Sequence, residues 1–169
     1  MIYHRYYEKE RRNYDSEFVK QITTNSELNL QCNEYGSCLL AFLEVEKNNE
    51  EIANEFSNNM VRYEIMSNKE EFKSFNYGWL NTNCHKNLLD LFKLDSKGGL
   101  VYYNKSLEVY SSIKFPIDDV LFKNFYHKVA EKKLDFNHID IKNAKIIDNT
   151  CMESFKHKSK KEKNRKEDL

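Results

Sequence analysis

The stretch Cys38-Leu-Leu-Ala-Phe-Leu-Glu-Val45 decides the fold of this chain. Apart from Glu44 it is apolar over the length of a strand, and such a stretch predicts a central β-strand that other elements cover on both of its faces. A strand of that kind is typical of α/β proteins, in which helices pack on the two sides of a largely parallel sheet. The sequence on either side of the stretch should then alternate between strands and helices.

Strands and helices do alternate in the predicted elements. Asn25 or Ser26 is suited to cap the first helix, because the oxygen of a short polar side chain accepts hydrogen bonds from the first N–H groups of a helix. Gly36 is suited to end it, because glycine readily adopts the left-handed conformation that often follows a helix. Pro116 fits the first position of the last helix. In chain order the predicted elements are a strand over 17–23, a helix over 27–35, a strand over 38–45, a helix over 48–66, a strand over 75–81, a helix capped by Thr82 or Asn83, a hairpin of 100–103 with 107–113, and the last helix.

This order predicts an α/β, thioredoxin-like fold with a central mixed sheet and helices on both faces. Periodicity is weak at both ends of the chain, and this sets the predicted boundaries. They are a linker over 1–16, the thioredoxin-like domain over 17–134, an irregular C-terminal extension over 135–150, and a basic tail over 151–169 that ends in Lys-Glu-Asp-Leu.

Composition limits the classes of partner. The longest apolar run, 39–43, is far shorter than the roughly 20 residues that a membrane-spanning helix needs, so we expect no membrane segment. The chain has no net charge, yet residues 156–169 hold seven Lys or Arg against three acids. Because Phe155 is the only aromatic residue of this tail, we expect a solvated spacer rather than a nucleic-acid-binding element.

Three segments resemble the last domain of one branch of the protein disulfide isomerases. They are Cys32-Asn-Glu-Tyr-Gly-Ser-Cys38, Tyr77-Gly-Trp-Leu80 and Gly98-Gly99-Leu-Val-Tyr-Tyr-Asn104, and the resemblance extends over 19–133. Proteins of that branch have two catalytic thioredoxin domains followed by one redox-inactive thioredoxin-like domain. The resemblance therefore implies a non-catalytic domain whose partners are unfolded or partly folded client polypeptides or an endoplasmic-reticulum chaperone.

The cysteines decide whether the chain has redox chemistry of its own. A thioredoxin dithiol follows the central strand, where a helix N-terminus lowers the pKa of the attacking thiol. This chain has Glu46-Lys-Asn-Asn-Glu50 there, with no sulfur, so we expect no catalytic residue of this kind. Cys32 and Cys38 bracket a tight turn and are expected to form a structural disulfide, with a redox switch as the alternative. Cys84 and Cys151 are candidates for free thiols or for a second pair.

Two departures limit what the resemblance implies. The family has proline just before its fourth strand, where catalytic thioredoxins present a cis-proline to peptide substrates, whereas this chain has Gly98. Peptide capture of that type is therefore not expected here. The tail is basic, so divalent-ion binding through an acidic tail is not inherited. The histidines are scattered and expected at the surface, and we expect neither a metal site nor a cofactor.

Other features concern location and binding. Lys166, Glu167, Asp168 and Leu169 resemble the Lys-Asp-Glu-Leu retrieval signal, which predicts the endoplasmic-reticulum lumen, with this chain as a fragment of a longer secretory-pathway protein. Asn104 begins an N-glycosylation triplet on a predicted turn. A group of tyrosines is a candidate for an apolar patch that holds clients. Its members are Tyr77, Tyr102, Tyr103 and Tyr110.

Two other functions stay open. The first is an autonomous thiol oxidoreductase that uses Cys84 or the pair of Cys32 and Cys38. The second is a cytosolic thioredoxin-like adaptor whose basic tail binds an acidic partner. The redox state of the cysteines distinguishes these two functions from that of a lumenal binding domain. Cysteines stay reduced in the cytosol, and those of an oxidoreductase alternate between thiol and disulfide during catalysis.

Overall fold

The computed structural model of the protein describes residues 19–32, 37–46, 48–70 and 75–147. These residues form one six-stranded sheet and four α-helices. In chain order the elements are β1 (Lys20–Gln21), α1 (Asn25–Gln31), β2 (Ser37–Leu43), α2 (Glu50–Ser67), β3 (Asn76–Asn81), α3 (Lys86–Leu91), β4 (Gly98–Asn104), β5 (Val109–Lys114), α4 (Asp119–Glu131), β6 (Asn137–His138) and a 3-10 helix (Ile141–Asn143).

The strands lie in the order β1-β3-β2-β4-β5-β6. β3 pairs in parallel with both β1 and β2, and Leu40 of β2 lies opposite Gly78 of β3. β4 runs antiparallel to β2 on the other side, and β5 and β6 continue the antiparallel pairing. Three parallel strands followed by an antiparallel hairpin in this order form a thioredoxin-like fold, so the predicted fold class is confirmed.

The central strand β2 is buried on both faces, in agreement with its apolar sequence. Leu39 and Leu43 face one core, which α2 and α4 cover. Leu40 and Phe42 face a second core, which α1 and α3 cover. Because successive side chains of a strand point to opposite faces, one apolar run supplies both cores and requires helices on both sides of the sheet.

The long helix α2 packs through the predicted stripe. Phe56, Met60 and Tyr63 are buried, at the spacing that keeps side chains on one face of a helix. The Tyr63 hydroxyl donates to the backbone oxygens of Leu39 and Gly78, so the stripe also ties α2 to two neighbouring strands. Asn49 caps the helix, since its side chain accepts a hydrogen bond from the Ile52 N–H at 3.2 Å.

Three predicted helix starts are wrong. Thr24 caps α1 in place of Asn25 or Ser26, because its extended backbone lets the hydroxyl accept from the Glu27 N–H at 3.2 Å.

α3 begins after His85 rather than after Thr82 or Asn83, because those two residues form the turn that leaves β3. Pro116 lies outside α4, after a cis peptide bond, and Asp118 caps the helix by accepting from the Leu121 N–H at 2.8 Å.

The segment predicted as an irregular extension packs onto the domain. β6 pairs with β5, and Ile139 and Ile146 are buried in the second core. The Asn25 side chain holds Ile146 through two hydrogen bonds, donating to its carbonyl oxygen at 2.9 Å and accepting from its N–H at 2.6 Å. Residues 135–147 therefore add a sixth strand and a second anchor on α1.

Several predicted features lie outside the described residues. They are the linker over 1–16, the turn at Gly36, Cys151, and the tail with Lys166, Glu167, Asp168 and Leu169. Within the part of the chain that is described, no helix is long and apolar enough to cross a membrane.

Candidate functional site

The carboxyl ends of β2 and β3 meet at one edge of the sheet, which we call the C-edge. In the family that the sequence resembles, a catalytic domain carries its dithiol here. In this chain the segment continues through Glu44 to Glu46, and α2 then begins with Glu50 and Glu51 in its first turn. Carboxylates favour the neutral form of a neighbouring acid, so this edge is built unlike a site that stabilises a thiolate.

The loop after β3 forms the other half of the C-edge. The Asn83 side chain donates to the carbonyl oxygen of Val45 at 2.6 Å, and the Thr82 N–H donates to the carbonyl oxygen of Leu43 at 3.0 Å. Cys84 follows directly and is buried. It is disulfide-bonded to a partner outside the described residues, so the interpretation of Cys84 as a free thiol is wrong.

His85 beside it corrects a second expectation. Its side chain is only 1% exposed, whereas we predicted that the histidines lie at the surface. The turn that follows β3 is packed into the domain, since the neighbouring Thr82 and Cys84 are buried as well. His127 and His138 are exposed. Among the described residues, no group of three or more His, Cys, Asp or Glu side chains is placed to hold a metal ion.

Gly98 occupies the place where the family has its proline. Its φ of 82° is left-handed, its N–H donates to the carbonyl oxygen of Asp95 at 2.9 Å, and its own carbonyl accepts from the Phe115 N–H at 3.0 Å. A Cβ atom on Gly98 would lie 1.9 Å from the carbonyl oxygen of Phe42. Proline has no N–H and a φ fixed near −65°, so it does not fit this backbone.

The Cys32 and Cys38 sulfurs form a disulfide at the opposite end of the sheet. It joins the end of α1 to the start of β2, with the two Cα atoms 5.0 Å apart. Cys32 is 1% exposed and Cys38 is fully buried in the second core. A disulfide exchanges only when a thiolate reaches one of its sulfurs, so this position favours support of the fold over exchange.

Most of the tyrosines singled out in the sequence are core residues. Tyr77, Tyr103 and Tyr110 are buried, so an exposed patch made of them is wrong. Burial raises the pKa of Tyr103 to about 12, and it also raises the pKa of Tyr77.

Tyr102 is the exception, since it is only partly buried and belongs to a row of aromatic rings. Its ring lies 6.4 Å from that of Phe75 and 5.7 Å from that of Phe136, measured between centroids. Phe75 is partly buried and Phe136 is 43% exposed. We call Phe75, Tyr102 and Phe136 the aromatic strip.

The aromatic strip lies on the face that α2 and α4 cover, near the amino ends of β2 and β3. Tyr102 is opposite Leu39, four residues before the end of β2, which places the strip about 13 Å from the C-edge. Sequence reasoning missed Phe75 and Phe136, because the first stands at the start of a strand and the second in a segment without periodicity. The pairing of β2 with β3 and β4 brings Phe75 near Tyr102, and the pairing of β5 with β6 brings in Phe136, which directly precedes β6.

Asn104 ends β4, and its triplet Asn104-Lys105-Ser106 enters the connection to β5, which agrees with the predicted turn. Its Oδ1 accepts from the Leu107 N–H at 3.0 Å. Ser106 and Leu107 are exposed.

Comparison with known proteins adds no family. A scan against models of protein families found no match for this chain, and a search of curated proteins found no relative. Functional inference therefore depends on the thioredoxin-like fold, the C-edge, the buried cystines and the aromatic strip.

Proposed function

We propose that this chain is a non-catalytic thioredoxin-like domain of an endoplasmic-reticulum protein disulfide isomerase. It binds unfolded polypeptides or a chaperone partner, while other domains of the parent protein form and rearrange disulfides. The composition of the C-edge is the observation that carries the proposal. On a thioredoxin-like fold, Asn48, Asn49 and Glu50 stand where an exchange-competent dithiol would be. What remains is a scaffold with surfaces for binding.

The cysteines support a lumenal location. None of the described cysteines is free, and disulfides persist in oxidising compartments such as the endoplasmic reticulum but are rare in the cytosol. The Cys32 and Cys38 pair lies inside the second core, so its oxidised state is part of the folded domain.

The aromatic strip is the surface that fits a client polypeptide. Unfolded chains expose apolar side chains, and partly exposed aromatic rings bury apolar area against them without needing a fixed sequence. Covering the exposed 43% of Phe136 contributes roughly 2 kcal/mol before the costs of association. A few contacts of this size give weak and reversible binding, which suits a domain that must release its client.

A binding measurement tests the assignment. The probe is a fluorescent, carboxymethylated polypeptide that cannot refold, and its affinity is followed by anisotropy. Phe136→Ser should weaken binding about tenfold, equivalent to about 1.4 kcal/mol. Leu121→Ser is the matched control, because Leu121 is 50% exposed on α4 and lies outside the strip. Unchanged affinity in Phe136→Ser, or an equal loss in the control, would exclude the strip as the client surface.

An oxidoreductase is the rival with a specific observation in its favour, since Cys84 borders the C-edge. Its 5% exposure and its disulfide argue against attack on an external substrate. Insulin reduction by the full chain distinguishes the two functions. We expect no turnover, and turnover that Cys84→Ser abolishes would replace the binding function by an enzymatic one.

The cytosolic adaptor differs in its thiol state. Alkylation with a mass tag before cell lysis should leave Cys32 and Cys38 unlabelled if the domain is lumenal. Labelling of both cysteines in the native protein would place it in a reducing compartment and contradict our proposal.

A further inference from the structure

The triplet Asn104-Lys105-Ser106 is the only Asn-X-Ser/Thr triplet with X other than proline in the whole sequence. It spans the end of β4 and the start of the connection to β5. Asn104 and Lys105 are partly buried and Ser106 is exposed, so the triplet lies at the surface of the folded domain. N-glycosylation in the secretory pathway uses such triplets on surface loops.

The two polar atoms of the Asn104 side chain have different surroundings. Oδ1 accepts from the Leu107 N–H at 3.0 Å and so closes the turn. Nδ2 makes no hydrogen bond to any described residue. The backbone of Asn104 pairs with Ser37 and Val109 in the sheet, which fixes where the amide group stands. The nitrogen is therefore available for modification while the oxygen holds the native turn.

We propose that Nδ2 of Asn104 carries an N-linked glycan when the chain resides in the lumen, an inference that rests on the lumenal location proposed above. The donor is an oligosaccharide attached to a polyprenyl diphosphate. The bond between Nδ2 and the anomeric carbon of the sugar forms, the bond between that carbon and the diphosphate oxygen breaks, and the polyprenyl diphosphate leaves. Nδ2 gives up one proton, and no atom changes its oxidation state overall.

The glycan has room and a surface to cover. Leu107 is 67% exposed within the same connection. A glycan on Asn104 shields Leu107 from solvent. It also stands two residues from Tyr102 on the same face of β4, at the margin of the aromatic strip.

The test directs the full chain into the secretory pathway of a eukaryotic cell with a cleavable signal peptide. We expect one discrete mobility shift that an endoglycosidase removes. Ser106→Ala should abolish the shift and leave the Asn104 turn intact, and Asn104→Asp should abolish it while retaining an oxygen acceptor for the Leu107 N–H. Asn143→Asp, at an exposed asparagine outside any triplet, is the control that should keep the shift.

Because the added signal peptide directs the chain into the secretory pathway, the result does not depend on where the native protein is located. Oxidation of Cys32 with Cys38 in the recovered chain shows that it reached the lumen. A wild-type chain that is oxidised but has no glycan would overturn the site and leave the proposed function standing. A shift that persists in Ser106→Ala would equally overturn it. The two proposals can also separate in the other direction. If the chain with the added signal peptide is glycosylated but the cysteines of the native protein are reduced, the glycosylation site is supported and the lumenal function is rejected.

Discussion

Replacing Gly98 with alanine tests how closely β4 is joined to the central strand at the C-edge. Gly98 has a φ of 82°, which L side chains rarely adopt. An added Cβ atom would lie 1.9 Å from the carbonyl oxygen of Phe42 and 2.9 Å from Cγ2 of Thr82. Because the nearest atom belongs to the backbone of β2, relief requires the two strands to separate where Gly98 pairs with Leu43.

The expected loss of stability has two parts. The left-handed backbone costs a residue with a Cβ atom roughly 1 to 2 kcal/mol. Steric overlap in a packed interior costs about 1 to 3 kcal/mol more. The total of about 2 to 5 kcal/mol is a large share of the roughly 5 to 15 kcal/mol that stabilises a typical domain. Gly98→Pro also removes the hydrogen bond to Asp95, so we expect that variant not to fold.

Denaturant unfolding followed by the fluorescence of the buried Trp79 measures the loss. Gly78→Ala in β3 is the matched control. Its Cβ would lie 2.3 Å from Cδ1 of Ile22, which is the end of a side chain and can move, and its φ is not left-handed. We expect the control to lose clearly less than Gly98→Ala. A loss below about 1 kcal/mol in Gly98→Ala at an unchanged m-value, or equal losses in the two variants, would refute the argument.

Two further predictions concern the second core. Replacing Cys32 and Cys38 together by alanine removes a disulfide that closes a loop with a sequence separation of 6. The free energy of unfolding should fall by about 2 kcal/mol, and client binding should not change. Equal stability of the oxidised and the reduced wild-type protein would contradict this prediction. Burial raises the pKa of Tyr103 from 10.0 to about 12, so the unfolded chain loses this proton first, and the stabilisation that is complete below pH 10 is lost as the pH rises toward 12. The loss is at most about 3 kcal/mol, and solvent screening of the hydroxyl reduces it. Tyr103→Phe should make the pH dependence of denaturant unfolding less steep over this range, and an unchanged slope would disprove the assignment.

Local patterns in the sequence determined the fold class. The run from Cys38 to Leu43 has no polar residue that would leave one face open, so it required a strand between two layers of helices. The stripe of Phe56, Met60 and Tyr63 repeats at the helical period and needed no distant partner to be recognised. The absence of cysteine between Leu43 and Glu51 is visible in the sequence itself. The fold then places this cysteine-free segment at the C-edge.

The tertiary structure decided everything that depends on which distant segments meet. Asn25 binds Ile146 across 121 positions of the chain, so the anchoring of the extension has no local pattern. The aromatic strip joins Phe75, Tyr102 and Phe136 through the strand order alone. The periodicity of apolar side chains indicates which face of a helix or strand is buried. The contacts between elements depend on how the chain connects distant segments, and no short window of sequence contains that information.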